Sequence, residues 1–282
     1  MTPWSGPVCS NFPMADVSDA LTTCHHRIDR AAELRAEMSQ EWNAHLATKP
    51  RGFELVHGPT PDTWEMRIKT MRPTPRSLST RFGEWLYQLR AALDGLTYAL
   101  AIRDSGEDPP PKASSVYFPI FDSAKKFQQN RPRLTALNDE TVAELELVQP
   151  YRAAPDHLSN VPWWINELAR LDRHRSGHAV RAFVSSCRVG FREPITGELR
   201  LDGNGAVEVN EERGTTIAVI TAPPGLGRRD IQDLIVDIDV QNIIDVPEWR
   251  HRSTPPMSRS TLDLRMKYSE AWVANTLAHF RP

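Results

Sequence analysis

From Val17 onward, apolar residues recur at steps of three and four: Leu21, Cys24, Ile28, Ala31, Met38 and Trp42, with His45 closing the stripe. That spacing predicts one long amphipathic helix, capped by Asp16 and stopped at Lys49-Pro50. The period then falls to two. In "TWEMRIK", Trp64, Met66 and Ile68 alternate with Glu65, Arg67 and Lys69. With "GFELV" before it and the turn-forming "HGPTPD" between, residues 53–70 read as a β-hairpin. The prolines of "MRPTPRSLST" exclude a helix there. A second long helix follows, with Phe82, Trp85, Leu86, Leu89, Leu93, Leu96 and Leu100 on its apolar face. "GEDPPPKASS" reads as a polar loop, "VYFPIF" as a buried extended piece, and "NDETVAELELVQPY" as a short helix ending before Pro150. Leu158, Val161, Ile165, Leu168 and Leu171 mark the next helix.

Beyond about Val180 the period is again two. "AVRAFVSSCRVGF", "ELRLDG", "AVEVNE", "TTIAVITA" and "DLIVDIDV" are strand candidates, with "EPITGE" and "GNG" suiting hairpin links. Ser260 and Asp263 resemble a capping box for a closing helix, whose inward face is Leu262, Met266, Ser269, Val273, Leu277 and Phe280. The order of elements predicts an α+β fold: an N-terminal helical bundle with an inserted β-hairpin, then an antiparallel β-sheet and a C-terminal helix. The expected boundaries are an irregular lead-in over 1–15, a mainly helical part over 16–178, an antiparallel β region over 179–258, and a C-terminal helix over 259–282 that packs back on the body.

Charge narrows the partners. The 282 residues carry a net charge of −2, so no global field draws the chain to nucleic acid or to an anionic membrane. Arginine outnumbers lysine 28 to 6, and guanidinium suits phosphate and carboxylate. These arginines are scattered along the chain, so base composition is the simpler account. Cys9, Cys24 and Cys187 form no CxxC pair and no even framework, which fits reduced thiols in a cytoplasmic protein. The first residues lack a basic and apolar leader, and no apolar run approaches the length of a membrane span.

The densest chemistry lies in "LARLDRHRSGHAV", residues 168–180, which holds Asp172, Arg173, His174, Arg175 and His178. Two readings fit. In the first it is a helix end: Gly177 supplies a left-handed cap, and the cations of the last turn meet the negative pole of the helix dipole. The second rests on a likeness. Arg173 to His178 resembles the R-x4-H signature of HEPN-type ribonucleases, which are helical, usually dimeric, and cleave RNA without metal. That resemblance implies His178 as acid/base, Arg173 as the stabiliser of phosphorane charge, and His174 as the polar neighbour. A second R-x4-H pair, Arg152 and His157, encloses Pro155 and reads as a loop. On an unbroken helix Arg173 and His178 would stand about 140° apart.

Other clusters carry less. His174 and His178 have the i, i+4 spacing of zinc ligands, but Arg175 stands where the catalytic glutamate belongs. Cys24-His25-His26 has no ligand spacing, and Cys24 belongs to the apolar stripe. Asp237 and Asp239 share one face of a strand, as an exposed alternating strand would place them. "PPGLGRRD" lacks the order of a phosphate loop and reads as a surface turn. No metal and no cofactor is expected.

A wider likeness covers the middle third of the chain. "GEWLYQLRAALDGLTYALA" (83–101), "YFPIFD" (117–122), "LVQPY" (147–151) and "LARLDRHR" (168–175) are together similar to a broad group of bacterial proteins of uncharacterised function. Members usually carry His where this chain has Gly95, and Asp-Lys-His-Arg in the last piece. The resemblance implies that Arg90, Asp94, Asp172, His174 and Arg175 gather. Arg90 and Asp94 at i, i+4, with Asp172 and Arg175 at i, i+3, would form an ion-pair network between two helices. The function expected is binding of a partner protein or small molecule by a soluble bacterial protein. The alternative is a HEPN-like, metal-independent ribonuclease using Arg173 and His178, with RNA as partner and a homodimer as its assembly.

Overall fold

The first apolar stripe folds as α1, Val17–Ala47, in a computed structural model that describes residues 17–174, 180–201, 205–255 and 257–280. The expected Asp16 cap and the "GNG" link fall wholly or partly outside the described residues. The rest of the helical part is α2 (Ser77–Ser105), α3 (Ala124–Asn130), α4 (Asp139–Leu147) and α5 (Val161–His174). Strands β1 (Arg51–His57) and β2 (Thr63–Thr70) stand between α1 and α2. After α5 come β3 (Arg181–Phe191), β4 (Thr196–Leu199), β5 (Val207–Glu208), β6 (Thr215–Thr221), α6 (Arg228–Leu234), β7 (Ile235–Asp245), α7 (Pro247–Arg252) and α8 (Leu262–His279). The fold is α+β, and every strand pairing among the described residues is antiparallel.

The chain divides into two units. One takes in Met1–Ala31, Leu86–Glu167 and Ser269–Pro282; the other takes in Ala32–Trp85 and Leu168–Tyr268. The long helices do not end where a unit ends: both breaks before Leu168 fall inside α1 and α2.

In the first unit, buried Leu21, Cys24 and Ile28 of α1 belong with Leu89, Leu93 and Leu96 of α2 and with Val273 and Leu277 of α8. Each such side chain, fully buried, contributes roughly 1.5–3 kcal/mol. Phe118 of the extended "VYFPIF" piece is fully buried and meets Trp272 edge to face at 6.3 Å. Gln149 holds that piece in place: its amide donates to the Pro119 and Leu145 carbonyls at 2.9 Å and accepts from Phe121 N at 3.0 Å. Asn138 caps α4 by accepting from Thr141 N at 2.8 Å.

The second unit contains both sheets. The hairpin does not stand alone: β2 pairs with β6, giving a four-stranded sheet of order β1-β2-β6-β4. The remaining strands form a second sheet, β5-β3-β7. The β region is therefore two sheets rather than the single sheet expected, because a strand as polar on one face as β2 still has an open edge to satisfy. Phe82, Trp85 and Trp249 form an aromatic cluster with centroids 5.4–6.3 Å apart. Beneath it lies a buried ion network. Asp245 accepts from Arg265 Nη2, from Arg250 Nη1 at 3.2 Å and from Val246 N at 2.7 Å, while Arg265 lies 4.8 Å over the Trp249 ring. Burial pulls the Arg265 guanidinium below its ordinary value, and Asp245 pulls it back.

Three local expectations are corrected. The cap of α8 is Thr261, whose hydroxyl accepts from Leu264 N at 3.3 Å, rather than Ser260. In "PPGLGRRD" the two arginines open α6, tied at its start by Gly227 N donating to Asp230 at 2.8 Å. Asp237 and Asp239 do not follow strict alternation, because Asp237 has a φ of 52° where the β3–β7 register shifts. Two β7 residues there oppose one of β3, which is a bulge. No described helix is long and apolar enough to cross a membrane.

Candidate functional site

Of the residues singled out by sequence, some lie outside the described part of the chain. Arg175 and His178 lie outside the described residues, as do the side chains of Arg173 and His174; the backbone of α5 runs through His174. Arg90 and Asp94 do meet, in the first unit, at 2.9 Å. Together they clasp one peptide: Arg90 Nη2 donates to the Phe118 carbonyl and Asp94 accepts from Phe118 N, both at 2.9 Å. This pair fixes the extended piece against α2. Asp172 belongs to the second unit, where its carboxylate occupies the space a side chain at Gly83 would need, 2.9 Å from a Cβ built there. Among the described residues, no three His, Cys, Asp or Glu side chains gather as metal ligands do.

A Cβ on Gly95 would stand 2.8 Å from the Cys24 sulfur. Cys24 fills that space, and burial pushes its thiol up.

A broad, open concavity lies in the second unit. It is a cleft of about 770 Å³ whose walls come from the end of α1, the start of β1 and the middle of β7. The sequence places each wall. Lys49 ends α1 with a φ of 52°, and Pro50 then starts the chain on its extended course. Leu46, Ile68, Val240 and Ile243 give an apolar lining, joined by Phe53 and Ile238, which remain 43% and 42% exposed. A large half-exposed aromatic beside a half-exposed isoleucine, facing one hollow, is an apolar patch without a cover.

Two polar groups interrupt that wall. Arg51 has only 6% of its side chain exposed. Its Nη atoms are used by Thr70 at 2.7 Å, Thr74 at 3.1 Å and Glu211 at 3.3 Å, while its Nε is buried with no acceptor. Asn242 Oδ1 is likewise buried with no donor. Behind Arg51, burial would by itself raise the Glu211 carboxyl, but hydrogen bonds from Thr74 and the Arg51 charge hold it below its ordinary value. Just before Leu46, His45 stacks on Trp42 at 5.4 Å, and burial together with the nearby Arg51 charge lowers its pKa.

Sequence reasoning passed over this cleft. Lys49-Pro50 read as a helix stop, and Arg51 and Asn242 lay just outside the strand candidates "GFELV" and "DLIVDIDV". The one available signal was that Arg51 opens a strand whose other inward positions are apolar. A neighbouring pocket of about 240 Å³ shares Ile243 with the cleft and is lined by Met38, Trp42, Ile244, Leu262 and Met266, with the 2.9 Å Arg35–Asp263 ion pair among its residues. A separate cleft of about 620 Å³ has Thr74, Arg76, Arg181 and Glu211 in its wall.

The site thus belongs to an α+β chain with an open, apolar-walled cleft that contains buried hydrogen-bonding groups. The chain matches no protein-family model, no curated protein and no solved structure.

Proposed function

We propose that this chain is a binding protein whose ligand occupies the cleft between Leu46–Phe53 and residues 238–243. The observation that supports this most is an open apolar wall in which Phe53 and Ile238 stay 43% and 42% exposed, interrupted by the polar side chains of Arg51 and Asn242. Concave, mostly apolar surfaces with a few polar groups are where ligands commonly bind.

The test is a library of amide-bearing fragments followed by amide NMR shifts on labelled protein. Shifts confined to residues 46–53 and 238–243, abolished by Asn242→Leu with no loss of melting temperature, are the expected result. Fragments that bind only elsewhere overturn the reading.

The RNA reading keeps one supporting observation. The cleft that holds Arg76 and Arg181 includes Val180, two positions after His178 in the chain. Its test is cleavage of single-stranded RNA in EDTA. The binding reading expects no cleavage, and EDTA-resistant cutting lost in both His178→Ala and Arg173→Ala replaces it with the nuclease.

A further inference from the structure

The 620 Å³ cleft of the second unit lies between the chain leading into α2 and the start of β3. It shares no lining residue with the cleft that holds Arg51 and Asn242, and it stands whether or not that cleft takes a ligand. Its walls are pinned to one another by hydrogen bonds. Ser79 Oγ accepts from Val180 N at 2.9 Å, and the Ala182 carbonyl accepts from Val209 N at 2.8 Å. The Glu211 carboxylate accepts from Thr74 N at 2.8 Å and from its hydroxyl at 2.5 Å. Pro73 and Pro75, with φ fixed by their rings, bracket Thr74. Three segments distant in sequence are thus held in one arrangement, so a ligand need not order them.

Two cations in this lining are not used by the pinning. Arg76 is exposed, and among the described residues its side chain has no hydrogen-bonding or ionic partner. Arg181 is half exposed, and its ion pair with Glu208 is 3.7 Å long. A charge-assisted hydrogen bond is shorter, about 2.7–2.9 Å. The third charged residue of the lining, Glu211, is already held by Arg51 at 3.3 Å and by Thr74. We propose that this cleft binds a small phosphate monoester, with Arg76 and Arg181 on the dianionic phosphate and the apolar residues Pro73, Pro75, Val180 and Val209 against the organic body. Guanidinium matches phosphate oxygens in a bidentate fork. The volume is that of a small-molecule pocket and exceeds what a bare phosphate fills, which calls for a body beside the anion. Glu208 and Glu211 flank Val209, so a running phosphate backbone would meet like charge on that side. That favours a compact ester over a polynucleotide.

The experiment titrates full-length labelled protein, at fixed ionic strength, with phenyl phosphate, inorganic phosphate, benzoate and single-stranded oligouridylate. The expected result is binding of phenyl phosphate that shifts amides within residues 74–79, 180–182 and 209–211, with inorganic phosphate weaker at the same residues and benzoate weaker still. Arg76→Gln and Arg181→Gln should each weaken phenyl phosphate by about tenfold. Neither should change the melting temperature, because both positions are exposed. Arg259→Gln, at an exposed position outside the cleft, should leave the affinity as it is. Affinity should also fall below about pH 6, where the ester takes up its second proton. No shift at these residues with either phosphate, equal binding of benzoate, or equal weakening by all three substitutions overturns the proposal. Oligouridylate that binds more tightly than phenyl phosphate, and is lost in Arg76→Gln and Arg181→Gln, replaces the small ester with RNA.

Discussion

Arg51 and Glu211, 160 positions apart in sequence, meet at 3.3 Å with only 6% of the arginine side chain exposed. The contact ties the start of β1 to the turn before β6. Thr74 joins it through both its backbone N–H and its hydroxyl. Glu211→Gln should lower stability by about 2 kcal/mol, since hydrogen bonds to charged groups are worth roughly 1.5–3 kcal/mol each. Because the folded carboxyl sits below its ordinary value, this stabilisation is present above the unfolded pKa and is lost as pH falls through the folded one. Chemical denaturation of wild type and Glu211→Gln should therefore converge in acid; a constant gap at all pH values would show that the charge is not what matters.

His45 acts in a higher pH range. Its folded pKa is below the ordinary 6.5, so the unfolded chain binds more protons between the two values. Stability then rises with pH through that window and falls on acidification below 6.5. His45→Gln should flatten the melting-temperature profile between neutral pH and pH 5. An unchanged profile would place the titration elsewhere.

Asp245 lies between two guanidiniums, and neither its own carboxylate nor Arg265 is exposed at all. Removing it strands buried cations, an effect of about 3–5 kcal/mol. Asp245→Ala should lose most of its cooperative unfolding transition, whereas Arg259→Ala, at an exposed position shortly before α8, should change little. Comparable melting curves for the two variants would contradict the network's role.

Gly95 and Cys24 can be tested as a pair. Glycine inside a helix costs roughly 1 kcal/mol relative to alanine. Gly95→Ala alone should nevertheless destabilise, because the new methyl meets the Cys24 sulfur at 2.8 Å. In a Cys24→Ala background the same change should become neutral or stabilising by up to about 1 kcal/mol. A double-mutant cycle with no coupling would remove the steric account.

Periodicity by itself determined the elements. Steps of three and four placed α1, α2 and α8 with their buried faces, because a helix shows its core stripe every turn. Alternation marked β1, β2, β3 and β6 for the same kind of reason. The α+β class followed from their order. Tertiary structure decided what periodicity does not encode. Strand order depends on which edges meet, so β2 with β6, and the split into two sheets, could not be read from runs of residues. Arg265 sits three residues after Leu262 on the inward face of α8, yet only the position of Asp245 makes a buried cation tolerable there. The cleft was hidden for the same reason: Arg51 and Asn242 are 191 positions apart, and their burial together in one wall is a property of the folded chain alone.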